Sequence, residues 1–124
     1  MPDEKWVPPS DEDIERALLT LPGQVKEQGL QCVCLEEEWD KLEAAHDLKM
    51  AKSLITNKTK NSDLTGPILK AMSIIESHDE RISCITAKAN FKRAEVTHTY
   101  LDNRFTSVKK EIEFKKISFI RANN

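Results

Sequence analysis

Residues 68–120, ILKAMSIIESHDERISCITAKANFKRAEVTHTYLDNRFTSVKKEIEFKKISFI, contain neither Gly nor Pro, and their apolar residues recur at helical spacing. Ile82, Ile85, Ala89 and Val96 form one band, and Leu101, Phe105, Val108 and Ile112 follow with a 4-3-4 rhythm. Apolar residues three and four apart return to one side of a helix, so the stretch predicts a long amphipathic helix. At 1.5 Å per residue, roughly 50 helical residues would extend about 75 Å. A globular chain of this size has a radius of gyration of only about 14 Å. The helix must therefore be interrupted, or lie along another helix in a hairpin or an oligomeric coil.

The rest of the composition agrees. The 124 residues suffice for one domain, and 32% of them are charged, more than the usual quarter. Only three Gly and five Pro occur, and three of the prolines, Pro2, Pro8 and Pro9, crowd the N-terminus. Strands need frequent turn residues, and those are missing here. The expected fold is all-α: a long antiparallel, coiled-coil-like helical hairpin with a short N-terminal helix.

Working outward to the N-terminus, residues 1–9 (MPDEKWVPP) predict an irregular arm, with Trp6 and Val7 able to pin it to a neighbouring surface. Ser10 then has the character of an N-cap, followed by Asp11, Glu12 and Asp13, which the helix dipole favours in a first turn. A short helix over 10–21 carries Ile14, Ala17, Leu18 and Leu21 and should end or kink at Pro22-Gly23, because proline lacks the backbone donor and clashes with the preceding turn. A first long helix over 25–60 follows. Leu35, Trp39, Leu42, Ala45, Leu48, Ala51 and Ile55 form its broad apolar face, and Gly29 weakens its start. Its acidic residues come early and its lysines late, the order that complements a helix dipole. NKTKNSDLTGP makes the turn, with Pro67 at the first position of a second long helix over 67–121. Ser77-His78-Asp79 is the weak point within it. A lone two-helix seam barely offsets the entropy of ordering this many residues, so self-association is expected.

Charge is unevenly spread. Residues 1–47 carry 13 acidic and 4 basic side chains, a net of −9, whereas residues 48–124 carry 8 and 15, a net of +7. Three readings are open: the halves attract each other within or between chains, the basic half meets an anionic partner, or the charges only solvate the helices. Three cysteines make an odd set without framework spacing, MPDEKW lacks the apolar core of a secretory signal, and no run reaches the roughly 18 apolar residues of a membrane span. The expected location is a reducing cytoplasm, with no membrane association.

Motifs for chemistry are missing. Cys32-Val33-Cys34 has a spacing that puts the thiols about 200° apart on a helix, and His46, His78 and His98 have no ligand partner three or four residues on, so no metal is expected. Glu36-Glu37-Glu38 and Asp79-Glu80 pair carboxylates on solvated faces, without an enclosing pocket to shift them. Gly23, Gly29 and Gly66 are too scattered to cradle a phosphate, and no nucleophile–base order is present. The sequon Asn57-Lys58-Thr59 matters only in a secreted chain. The expectation is a non-enzymatic protein without a cofactor.

The basic second half is the better candidate. Lys88, Lys92, Arg93, Arg104, Lys109, Lys110, Lys115, Lys116 and Arg121 can hold phosphates from a helix face, and Phe114 and Phe119 can stack on unpaired bases. The competing reading makes the phenylalanines seam residues and the lysines favourable charges near a helix C-terminus.

In layout, an apolar first arm, a loop and a second long arm ending in LDNRFTSVKKEIEFKKI resembles small phage-encoded helical proteins, of which the UvsY-like phage recombination mediators are the nearest type. The resemblance runs from roughly Leu30 to Ile117 and lies in periodicity. It implies a helical homo-oligomer that binds single-stranded DNA and assists a recombinase, in the host cytoplasm if phage-encoded. Two functions follow as expectations: a single-stranded nucleic-acid binder, or a protein–protein adaptor or assembly scaffold whose acidic arm docks on the basic arm of another subunit.

Overall fold

The computed structural model describes residues 10–123. The expected N-terminal arm, with Trp6 and Val7, lies outside the described residues. The protein is all-α: α1 (Asp11–Lys60), α2 (Gly66–Glu76) and α3 (His78–Asn123), with no strand among the described residues.

Helix α1 begins as its sequence demands. The Asp13 amide donates to Ser10 Oγ (3.2 Å), while Asp13 Oδ2 accepts from the Ser10 amide (3.3 Å) and hydroxyl (2.8 Å). This is a reciprocal capping box with aspartate at its third position. The hydrogen bonds from Ser10, side chain first and backbone second, hold the Asp13 carboxyl below its ordinary value of 3.8.

The expected stop at Pro22 does not occur: α1 runs through Pro22 and Gly23 without interruption, and the separate helix over 10–21 merges with the one over 25–60. The physical reason is packing of the turns before the proline. Ile14, Ala17 and Leu21 are buried, Leu21 to 1% exposure, and tertiary burial overrides local propensity. Gly29 also has a use. A Cβ there would lie 3.3 Å from His98 Nε2, so the bare backbone makes room for the imidazole.

The second arm divides at Ser77, within the expected weak point. Ser73 and Ser77 are both fully buried. Ser73 Oγ donates to the Leu69 carbonyl (3.1 Å) and Ser77 Oγ to the Ser73 carbonyl (2.7 Å). Such back-bonding to the preceding turn competes with the ladder and bends helices. The ladder itself continues on either side, from the Ser77 amide to Ser73 and from the Arg81 amide to Ser77.

The chain groups into two compact units, one from Met1–Gly29 with Val96–Asn124 and the other from Leu30–Glu95. In the first, Asp11 meets Lys115 and Gly29 meets His98, so the α1 and α3 segments run antiparallel. Leu101, Phe105, Val108 and Ile112 are all half-buried in this unit, as their rhythm predicts.

In the second unit, Trp39 packs on Phe91 with ring centroids 5.7 Å apart, and Ser53 and Asn57 meet Glu76. Here the seam is not the expected one. Cys84, Ala87, Phe91 and Ala94 are buried, whereas Ile82 and Ile85 stay 49% exposed. On α1, Leu35, Trp39 and Leu42 face inward, but Ala45, Leu48, Ala51 and Ile55 are exposed. Small and polar side chains, Ser53, Asn57, Ser73 and Ser77 among them, occupy the interior instead. Cross-helix hydrogen bonding explains the choice. The Glu76 carboxylate accepts from the Ser53 hydroxyl and from Asn57 Nδ2 (3.3 Å), and these contacts set which faces meet.

Replacing Pro22 with Ala should restore one helical hydrogen bond and stabilise the protein, by up to about 3 kcal/mol if the present backbone is otherwise undisturbed. Urea titration followed by circular dichroism measures it, and an unchanged or lower midpoint contradicts the account.

Glu76 gives a pH prediction. Hydrogen bonds from Ser53 first, then Asn57, lower its pKa from the ordinary 4.5. A carboxyl depressed on folding adds stability at pH values above the unfolded pKa, and that contribution is lost as pH falls through the folded one. Thermal melts of wild type and Glu76→Gln should therefore differ most at neutral pH and draw together as pH falls below the ordinary 4.5 and through the lowered folded value. A gap that is constant from neutral to acidic pH argues against it.

Candidate nucleic-acid interface

All nine basic side chains singled out in the sequence are exposed on α3, but the fold gives them different surroundings. In the Leu30–Glu95 unit, Lys88 lies over the Trp39 ring (Nζ 5.6 Å from its centroid). Lys92 lies 5.6 Å from the centroid of Phe91 and 3.7 Å from Glu95 Oε1. Arg93 Nη1 is 3.5 Å from Asn90 Oδ1. Lys88 thus leans its charge on the aromatic pair that holds the seam, a cation–π arrangement.

The other six belong to the unit that contains Val96–Asn124. Lys115 Nζ lies 2.5 Å from Asp11 Oδ1, an ion pair open to solvent on both sides and hence worth little stability. Arg104 lines two open grooves with Asp13, one of them also bounded by Ile14, Ala17 and Val108. Arg104 and Lys115 are 11 residues apart, close to three full turns, so they share one side of α3, the side that meets the acidic start of α1. Lys109 Nζ sits 4.5 Å from the centroid of Phe105.

Lys110, Phe114, Ile117 and Arg121 follow one another at 4-3-4 spacing, which places them on a single side of α3. All four are exposed, Phe114 to 69%. The phenyl ring is thus flanked by a cation one turn before it and another about two turns after it.

Phe119 does not join this group. Five residues from Phe114, it points about 140° away around the helix. It instead extends the half-buried row Leu101, Phe105, Val108 and Ile112 by seven residues, while remaining 70% exposed. Lys116 stands close to that same row. The nine cations and two rings therefore do not make one continuous face.

Sequence reasoning missed two partners: Trp39 under Lys88, and Asp11 beside Lys115, which is 104 positions away. No local signal announces either. The coherent group Lys110-Phe114-Ile117-Arg121 was open to helical arithmetic.

Among the described residues, no three or more His, Cys, Asp or Glu side chains are grouped to hold a metal ion, and no helix is long and apolar enough to cross a membrane. What the fold defines at this point is an all-α protein, with three helices among the described residues and an exposed cationic and aromatic face on the last turns of α3. Comparison adds no name to that class: no protein-family model, no curated protein and no solved structure matches the chain.

Proposed function

We propose that the protein is a non-enzymatic helical oligomer, built from a helical hairpin, that binds single-stranded nucleic acid through the Lys110-Phe114-Ile117-Arg121 face of α3. The observation that carries this reading is the exposed Phe114 ring held between Lys110 and Arg121 on one side of a helix. Cations there bind backbone phosphates and release counterions. A ring free on one face stacks on an unpaired base, and every base offers such a surface, so the contact tolerates sequence. A duplex keeps its bases stacked inward, which makes the single strand the better fit.

The reading gives Arg104 and Lys115 a lesser part, since Asp11 and Asp13 stand beside them and would repel a phosphate. Layout resemblance to phage recombination mediators extends the proposal to single-stranded DNA as the ligand and a recombinase as a further partner, acting in the cytoplasm, the host's if the chain is phage-encoded. A second reading, a protein–protein adaptor or assembly scaffold, draws on a separate observation: Leu48, Ile55, Ile75, Ile82 and Ile85 all face solvent.

Fluorescence anisotropy with a short labelled single-stranded oligonucleotide tests the first reading. Binding should be present at low salt and fall about tenfold or more between 50 and 200 mM salt if about three phosphates are engaged. Phe114→Ala should weaken it about tenfold, the loss expected for one stacked base. Lys110→Ala with Arg121→Ala should weaken it more and flatten the salt dependence, whereas Arg104→Ala should have a smaller effect. Absence of binding at low salt, or a Phe114→Ala protein that binds as wild type does, overturns the reading.

A further inference from the structure

Two outward faces of the Leu30–Glu95 unit complement each other, yet a single chain cannot join them. On α1, Leu30, Val33, Ala44 and Leu48 are exposed and fall within one side of the helix, with Glu37 among them. On α3, Ile82 and Ile85 are exposed and share one side with the half-buried Ala89 and with Lys92. Each face repeats at the three-and-four spacing that packs against another helix.

Their charges are opposite. Residues 30–48 carry six carboxylates and one lysine, a net of −5, whereas the basic part of the other face is the α3 stretch 81–93, with Arg81, Lys88, Lys92 and Arg93, a net of +4 bounded by Asp79 and Glu80 before it and by Glu95, 3.7 Å from Lys92, after it. Their directions are opposite as well. Leu48 lies two residues beyond the buried His46, and Ile82 two residues before the buried Cys84. Two residues is about 200° of helix, so each face points away from the seam that joins its helix to the other.

We infer that the acidic outer face of α1 in one copy docks on the basic outer face of α3 in a second copy. Resting on the oligomeric part of the function proposed above, this assigns the oligomer its contact. The interface pairs two different surfaces, so it is head-to-tail: each docked copy leaves one acidic and one basic face open. Growth beyond a dimer follows, to a ring if the rotation closes and to an open filament if it does not. Apolar rows supply the contact, and the charges select the acidic–basic pairing over pairing of like faces.

Sedimentation velocity of the full chain across a concentration series tests the inference, using two charge-reversed variants. One carries Arg81→Glu with Lys92→Glu, the other Glu37→Lys with Asp40→Lys. Wild type should reach at least twice the 14.2 kDa of one chain. Each variant alone should fall to the mass of one chain while keeping its helical circular dichroism, and an equimolar mixture of the two should associate again, because every reversed face then finds an opposite one. A wild type that stays at the mass of one chain overturns the inference, as does loss of association in only one variant or a mixture that fails to recover it. Should the variants instead lose their helical signal, disulfide capture between chains of wild-type charge, with Cys32→Ser and Cys34→Ser and new cysteines at Ala44 and Ala89, decides it: chains cross-linked through those two positions support the contact, and their absence overturns it. Oligonucleotide anisotropy on the same wild-type samples reports on nucleic-acid binding separately. The Phe114→Ala protein, altered outside both faces, should associate as wild type does.

Discussion

The Glu76 carboxylate accepts hydrogen bonds from Ser53 and Asn57 of the facing helix, and the arrangement of the Leu30–Glu95 unit depends on that contact. Ser53 and Asn57 are themselves buried, and buried donors without an acceptor are costly. Sliding one helix by a turn would take the Glu76 acceptor from both and leave them only the bond from Asn57 Nδ2 to Ser53 Oγ within α1 (3.2 Å). The polar group therefore selects a register, as a single polar residue in a coiled-coil seam does. Trp39 against Phe91 supplies the bulk of the contact further along, and Lys88 closes over the outer side of the indole.

One register brings one set of faces together, and around the Trp39–Phe91 pair it brings in small side chains. Cys84, Ala87 and Ala94 are buried, while the isoleucines on either side are left outside. An exposed isoleucine is unremarkable alone, since much of any protein surface is apolar. A row of them at helical spacing is another matter, because it has the form of a second seam.

This explains which parts of the structure were legible in the sequence. Helices could be read from the absence of Gly and Pro after Pro67, and the row from Leu101 to Ile112 faces inward as its spacing requires. Pro22 misled, because the rule that proline ends a helix weighs local cost alone, and Leu21 is packed to 1% exposure next to it. The row of Ile82 and Ile85 misled for a different reason. Two rows on α3 have acceptable spacing, and periodicity favours the more apolar one, whereas the fold turns inward the row of Cys84, Ala87, Phe91 and Ala94, with Phe91 against Trp39, while Glu76 of α2 meets Ser53 and Asn57. That decision lies in hydrogen bonds between residues 19 and 23 positions apart, which no local window contains. At the candidate interface, the divergence of Phe114 and Phe119 follows from counting residues around a helix, but the ion pair that occupies Lys115 joins opposite ends of the chain.

A thin seam also bears on how the protein holds together. Burying an isoleucine fully contributes roughly 1.5–3 kcal/mol, and small or polar seam residues forgo much of that within the chain. Folding two helices by such a seam leaves little surplus over the entropy of ordering them. Whatever covers the outer rows then adds its free energy to folding by mass action, because it binds the folded chain and not the unfolded one. Stability and assembly become one equilibrium: the hydrogen bonds around Glu76 choose the faces, and the aliphatic residues they exclude are those with most to gain from a neighbour.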